Sequence, residues 1–179
     1  THGDETEGGL DYLISGSKGA MEGQDFYFKE FHTPETNDGW AENGDREEWE
    51  NVFVKAIYDG LTLEGLYTKR MKENPTAAVG QMFNDDRVKT VDTQAAVAAT
   101  YKRNLPWDIE MAWRAYYQHF GFEMSDLYDY QWQNGEPVIF PEGIIYQTDT
   151  FGNRFTSEID MNRKLPGGHV IAWGAEYQK

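Results

Sequence analysis

Apolar and polar residues alternate along several segments of the chain, and these segments are joined in turn by very short links and very long polar stretches. The short links are Asp59-Gly60, residues 103–106 and residues 164–168. The long stretches cover residues 19–49, 70–92 and 119–153. Alternation of period two is typical of β-strands, because successive side chains point to opposite faces. The sequence therefore predicts an all-β chain, an antiparallel up-and-down meander of about seven to eight strands with short turns at one rim and long loops at the other.

The clearest hairpin is predicted around Asp59-Gly60, a dipeptide that supplies the positive φ angles of a two-residue turn. Two further hairpins follow the same logic, and each strand has one apolar face. The predicted apolar faces consist of Val52, Val54, Ala56 and Tyr58; Leu61, Leu63, Gly65 and Tyr67; Ala95, Val97, Ala99 and Tyr101; Trp107, Ile109, Met111, Trp113, Ala115 and Tyr117; Ser157, Ile159 and Met161; and Ile171, Trp173, Ala175 and Tyr177.

A helix is the competing prediction for residues 93–120, because the alanine-rich part has high helix propensity. Apolar residues recur there at i and i+2 rather than at i+3 and i+4, which is the spacing of a strand. Pro106 would also damage a single long helix. The strand prediction is therefore preferred.

Alternation alone does not decide which face of the sheet points inward. A soluble sheet hides its apolar face, whereas a membrane barrel turns that face to lipid and lines a wet lumen with the polar one. Short turns that alternate with long loops, and Tyr or Trp near the ends of the apolar faces, favour the membrane arrangement. We therefore expect a transmembrane β-barrel or part of one. The alternative is a soluble all-β ligand-binding or scaffold protein with Trp113 and Trp173 in a dry interior.

Composition narrows the class of protein and of partner. The 179 residues suit a single β-barrel segment over residues 1–179, and no run approaches the roughly 20 apolar residues of a membrane helix. The net charge of -15 argues against a nucleic-acid partner. There is no cysteine for a disulfide or a thiolate metal site. The start at Thr1, with neither Met nor a signal-peptide pattern, is expected of a processed protein or an excised segment.

No set of titratable residues has the spacing of a catalytic or metal site. The four histidines stand far apart, at His2, His32, His119 and His169. The acidic residues 38–50 lack the EF-hand pattern and predict a solvated loop, with a weak surface Ca²⁺ site as the minor alternative. Asp108 and Glu110 share a predicted strand face, and such a carboxylate pair would be needed for a third alternative, a carbohydrate-active enzyme. We predict no enzyme activity, no catalytic residue, no metal ligand and no cofactor.

Ligand capture is predicted on the long loops, because binding groups concentrate on loops that a rigid frame holds. Aromatic rings there can stack on a flat or sugar-like ligand, and self-packing of the loops is the alternative for each residue. The candidate ligand-binding residues are Tyr27, Phe28, Phe83, Asn84, Asp85, Tyr128, Tyr130 and Trp132.

Short motifs in a particular order point to a known family. They are GLDYLISGS at 9–17, DFYF at 25–28, LTLEGLY at 61–67, NPTA at 74–77, FND at 83–85 and TVD at 90–92. In this order they resemble the barrel of TonB-dependent outer-membrane receptors, in which a long loop carries IPTA-like and FNDP-like turns. The chain departs from that pattern at Asn74 and at Asp86, and the resemblance covers most of residues 9–120.

The resemblance implies a receptor of the Gram-negative outer membrane that takes up a small ligand such as a metal chelate or a carbohydrate. Such receptors enclose a plug domain in a barrel of about 22 strands and draw energy through TonB. No part of this chain resembles a plug. The expected partners are therefore outer-membrane lipid, further barrel strands from the rest of the chain or from other copies, and, by resemblance alone, a plug domain and TonB.

Overall fold

The computed structural model describes all 179 residues and consists of ten strands with four short 3₁₀ segments. The strands are β1 (His2–Glu5), β2 (Asp11–Met21), β3 (Phe26–Tyr27), β4 (Trp40–Ala41), β5 (Glu47–Tyr58), β6 (Leu61–Glu73), β7 (Lys89–Leu105), β8 (Ile109–Gln133), β9 (Glu136–Lys164) and β10 (Val170–Gln178). The 3₁₀ segments are Lys29–Phe31, Pro34–Gly39, Ala78–Gly80 and Pro166–Gly168. None of these helical segments has the length and apolar character needed to cross a membrane.

Eight of the strands form one antiparallel sheet in the order β1-β2-β5-β6-β7-β8-β9-β10. Each strand pairs with its neighbour in this order, so the sheet is an up-and-down meander, and the predicted fold class is confirmed. The remaining strands, β3 and β4, pair with each other inside the first long connection. The eight-stranded sheet is open, because β1 and β10 lie at its two edges and do not pair.

The short links lie at one end of the sheet, as predicted, with two shifts, of which the smaller places the third link at residues 165–169 rather than 164–168. Asp59 and Gly60 have φ angles of 44° and 78°, so the two-residue turn is confirmed. The second link does not cover 103–106, because β7 runs on to Leu105 and the turn falls at residues 106–108. Pro106 has no N–H for a ladder hydrogen bond and stops the strand there. Trp107, with φ of 67°, is therefore in the turn and not on a strand face.

Two of the long connections are shorter than predicted. The first covers residues 22–46 rather than 19–49, and the second covers 74–88 rather than 70–92. The strand ends on either side of them are mostly polar or charged, with scattered apolar residues such as Trp49 and Met71, so alternation does not reveal them. Cross-strand ion pairs accompany the extra pairing, such as Arg70 with Glu47, at 2.6 Å between Nη2 and Oε2.

The third long connection is not a loop. Strand β8 continues to Gln133 and β9 begins at Glu136, so residues 119–153 form a long two-stranded hairpin instead of the predicted loop. Asn134 and Gly135, with φ angles of 51° and 87°, make its two-residue turn. Asn-Gly is a strong hairpin signal, and the many aromatic residues on both sides favour strands. We call residues 126–146, which project beyond the pairing with β7, the arm.

The buried core is small and lies away from the middle of the sheet. Only seven residues are buried, and the apolar ones are Ala41, Ala77, Val88 and Leu127. They collect where the two long loops pack against the base of the arm, and the Met82 N–H donates to the carbonyl oxygen of Leu127 there at 2.8 Å. Apart from Thr156, no residue within the body of the sheet is buried, so neither of its faces is covered by another layer.

Candidate functional site

The strand register places the predicted apolar side chains on a single face of the sheet. One row across it runs Ile14, Val54, Gly65, Val97, Tyr117 and Phe155. We call this the apolar face, and its neighbouring rows hold the other predicted apolar residues apart from Trp107. Val97 has 59% of its surface exposed and Trp173 has 43%. The chain therefore presents a wide and continuous apolar surface that nothing in it covers.

The apolar face ends in polar residues at its upper border, toward the long loops, and this border runs obliquely across the strands. On β5 to β7 the first polar row consists of Glu50, Lys69 and Thr93. On β8 and β9 the border lies one row lower, at His119 and Asn153. On β10 it lies one row lower again, at Lys179, which pairs with Phe155. At about 3.4 Å per residue and about 4.8 Å between strands, this shift is a slope of about 30°. Strands in closed barrels tilt by about 35–45° relative to the barrel axis.

Aromatic residues lie at both borders of the apolar face. Tyr58, Tyr101 and Trp113 share one row near the short turns. Near the long loops, the Tyr117 hydroxyl donates to Asn153 Oδ1 at 2.7 Å. Along β8 the face runs from Ile109 to Tyr117, about 27 Å along the strand, or roughly 20 Å after a tilt of about 40°. An apolar band flanked by aromatic residues at this height is typical of membrane barrels, whose band is about 25 Å tall.

The opposite face, which we call the charged face, carries cross-strand ion pairs. Lys55 Nζ lies 3.0 Å from Glu64 Oε1. Arg114 Nη1 lies 2.6 Å from Glu158 Oε1 and 2.9 Å from Asp160 Oδ2. Exposed ion pairs of this kind stabilise a fold by only about 0–1 kcal/mol each. These pairs give the face its charges, and the apolar residues Phe53, Ile57 and Leu66 lie on it as well.

Asp108 and Glu110, the pair that a glycosidase would need, do not share a strand face. Asp108 lies in the turn, with φ of 57°. The Glu110 carboxylate accepts a hydrogen bond from Lys164 Nζ at 3.0 Å. The expectation of a shared face is therefore wrong, because the turn ends two residues later than predicted.

Among the candidate ligand-binding residues, those of the first two loops pack against one another. The rings of Phe28 and Phe83 meet edge to face at 5.7 Å, and Phe31 stacks on Phe83 at 4.4 Å. The Tyr27 ring lies 5.3 Å from that of Trp40. These contacts join the loops to each other, so Phe28 and Phe83 serve loop packing in this structure, while Tyr27 remains about half exposed.

Asn84 and Asp85 also hold the loops in place. The Asn84 side chain accepts a hydrogen bond from the Glu42 N–H at 2.9 Å. Asp85 accepts hydrogen bonds from the Arg87 guanidinium, and these bonds hold the pKa of the Asp85 carboxyl below its ordinary value. Arg87 donates onward to the carbonyl oxygen of Glu142 at 3.1 Å, which ties the second loop to the arm.

A polar hollow of about 230 Å³ lies between the two loops. Its lining residues are Glu42, Gly44, Glu73, Asn74, Pro75, Asn84, Asp85 and Asp86. Burial raises the pKa of the Glu73 carboxyl, and the nearby charges of Asp86 and Glu48 add to the rise. No group of three or more His, Asp or Glu side chains is arranged to hold a metal ion.

The candidates on the arm are arranged differently, because they line a shared concavity. Tyr128, Tyr130 and Trp132 surround a shallow cavity of about 220 Å³ together with Gln131 and Tyr146. The rings of Tyr128 and Tyr146 stand nearly perpendicular, at 81° and 5.5 Å. We call Tyr128, Tyr130, Trp132 and Tyr146 the aromatic shelf. Sequence reasoning missed Tyr146, although Asn134-Gly135 marks the turn that brings it opposite β8.

Comparison with known proteins gives no relative: no family model, no curated protein and no solved structure matches this chain. The fold and the placement of its side chains are therefore the basis for any statement about function.

Proposed function

We propose that the chain forms part of the wall of a β-barrel in the Gram-negative outer membrane, where it acts as a segment of a TonB-dependent receptor that takes up a small ligand. The observation that carries the proposal is the wide, exposed apolar face, with aromatic residues at its borders and an ion-paired charged face behind it. Lipid would contact the apolar face, and the charged face would line a water-filled lumen.

The energetics of the apolar face favour lipid over water. Soluble monomers rarely expose contiguous apolar patches larger than a few hundred Å². Here the face extends over seven neighbouring strands, and Trp113 keeps 37% of its surface exposed. The soluble all-β alternative requires a dry interior around Trp113 and Trp173, and the sheet encloses no such interior.

The free edges of the sheet support a wall that continues beyond this segment. Strand β1 pairs with only four residues of β2, so the outer side of Ser15 to Met21 has no neighbouring strand. The outer side of β10 is also free. Unpaired backbone groups cost several kcal/mol each in hydrocarbon. A membrane location therefore requires partner strands, supplied by the rest of the receptor or by other copies.

Binding and uptake suit the chain better than catalysis. The long loops and the arm lie together at one end of the sheet, which is where outer-membrane barrels place their extracellular loops. A plug domain and TonB would supply energy, and these partners rest on the family resemblance alone.

Detergent dependence tests the proposal. The purified chain is expected to need detergent or lipid to stay monodisperse, and to sediment with liposomes after refolding in their presence. A chain that remains monodisperse in plain buffer and stays out of liposomes would contradict the membrane proposal and favour the soluble alternative.

A further inference from the structure

The aromatic shelf lies on the same side of the sheet as the charged face. Along β8, Arg114, Asp126 and Tyr128 lie on the same side, because even numbers of residues separate them and the register is unbroken from Ile109 to Tyr128. The irregularity between Tyr128 and Tyr130 marks the start of the shelf. If the charged face lines a lumen, the shelf therefore stands directly above its mouth.

The arm carries carboxylates and no fixed positive charge. Its charged residues are Asp126, Asp129, Glu136 and Glu142, without any Lys, Arg or His. Together with the connections 22–46 and 74–88, it holds thirteen Asp and Glu against three Lys and Arg. Arg87, the cation tied to the arm, is paired with Asp85 at 2.6 Å. The potential around the shelf is therefore negative and attracts cations.

The geometry of the shelf suits a compact positive charge with an apolar surface. The faces of Tyr and Trp rings are electron-rich, and rings at right angles can surround a quaternary ammonium group. Asp126 stands directly across from Tyr146 on the same side of the hairpin, next to the residues that line the cavity, and its Oδ1 accepts a hydrogen bond from Gln81. Burial and the charge of Asp126 both raise the pKa of the Tyr128 hydroxyl.

We propose that the aromatic shelf binds a small organic cation of the quaternary ammonium class, through the faces of Tyr128, Tyr130, Trp132 and Tyr146 and the carboxylate of Asp126. This inference deepens the proposed function and rests on it for the role of the site in uptake. A neutral sugar, which would also stack on aromatic rings, is an outcome that the test distinguishes.

The test compares choline with 3,3-dimethyl-1-butanol, a neutral molecule of nearly the same shape, by calorimetry on the full chain in detergent micelles. Cation–π attraction predicts that choline binds about tenfold more tightly than the neutral molecule. Added salt should weaken choline binding alone. Equal affinity for the two molecules, no binding of choline, or tighter binding of a neutral sugar such as maltose would overturn the inference.

Variants connect the binding to the shelf. Trp132→Ala is expected to weaken choline binding about tenfold, and Trp132→Phe is expected to restore most of it. Asp126→Asn, which preserves volume and can still accept from Gln81, should weaken binding several-fold. Trp107→Ala is the matched control, because it removes an exposed tryptophan from a turn at the other end of the sheet. An unchanged affinity in both Trp132→Ala and Asp126→Asn would overturn the inference.

The liposome experiment and the choline experiment test the two proposals independently. A chain that enters liposomes but does not prefer choline leaves the receptor proposal standing and removes the organic cation. A chain that binds choline in detergent but does not enter liposomes keeps the binding site and removes its role in outer-membrane uptake.

Discussion

The residues that join the long loops lie at one end of the sheet, where all the buried residues except Thr156 also lie. The loops are joined by specific contacts, such as Asn84 to the backbone of Glu42 and Arg87 to both Asp85 and the arm. Glu73 is a less favourable member of this region, because burial raises the pKa of its carboxyl. Replacement of these residues should therefore change how tightly the loops are held, with little effect on the stability of the sheet.

Glu73→Gln is expected to strengthen the loop region at neutral pH. A carboxyl whose pKa is raised on folding opposes the folded state while it is ionised, and this penalty vanishes below the ordinary value of 4.5, where both states are protonated. Hydrogen exchange of residues 74–88 should therefore slow in the variant at pH 7 and match the parent near pH 4. Glu7→Gln, in a turn at the opposite end, is the control. Faster exchange in Glu73→Gln at pH 7 would contradict the assignment.

Asp85 has the opposite pH dependence. The pKa of its carboxyl is lowered in the folded state, mainly by the Arg87 hydrogen bond. The ionised carboxylate therefore stabilises the folded loop fully above the ordinary pKa of 3.8, and this stabilisation is lost as the pH falls through the lower pKa of the folded state. We expect Asp85→Asn to speed exchange in residues 82–88 at pH 7 and to remove the additional acid-induced loosening of this loop below about pH 4. If exchange in the variant at pH 7 equals that of the parent, the Arg87 pair does not hold the loop.

Among the strands and their connections, the residues in the turns determine where each strand ends and the next begins. Asp59-Gly60 is readable from the sequence, because a two-residue link between alternating segments has few other solutions. Asn134-Gly135 carries the same signal, yet the polar and aromatic residues around it lack a clean alternation. The extension of β8 and β9 into the arm therefore escapes prediction. The Pro106 turn ends two residues later than predicted for a similarly local reason, the missing N–H of proline.

The two Gly turns make a matched pair for testing backbone strain. Gly60 and Gly135 both have positive φ, but a Cβ at Gly60 would clash with the carbonyl oxygen of Lys102, whereas Gly135 has open space around it. Gly135→Ala should cost about 1 kcal/mol, confined to the arm, from backbone strain alone. Gly60→Ala should cost clearly more and lower the stability of the sheet. Chemical denaturation in detergent measures both variants, and equal losses would contradict the close approach of Lys102.

The two faces of a strand can be separated by neighbouring substitutions. Val97→Lys puts a charge on the apolar face, whereas Ala98→Lys puts the same charge on the charged face, where Glu64 lies directly across. A lysine that faces the bilayer midplane costs about 2–4 kcal/mol. Val97→Lys is therefore expected to reduce liposome insertion strongly and Ala98→Lys to leave it nearly unchanged. Equal insertion of the two variants would argue against lipid contact at the apolar face.

For the whole molecule, the sequence predicts a great deal of the sheet and less of the candidate site. Period-two alternation gives the strands and their faces, since the register brings the predicted apolar residues together on one side. Alternation does not show that the sheet stays open or how the loops meet. The loop aromatics are foreseeable as a set. The sequence does not show which of them pack internally, as Phe28 and Phe83 do, and which line a cavity. The cavity is lined by Tyr128, Tyr130 and Trp132. This division depends on contacts between residues that are distant in sequence.

The apolar face is expected to contact lipid while the charged face contacts water. The absence of cysteine allows single spin labels to be placed at residues 95–100 of β7 without background. In liposomes, collision with oxygen should be high at 95, 97 and 99 and low at 96, 98 and 100, and collision with a water-soluble nickel complex should follow the opposite pattern. Labels that are all equally accessible to the nickel complex, or oxygen maxima at the even positions, would contradict lipid contact at the apolar face.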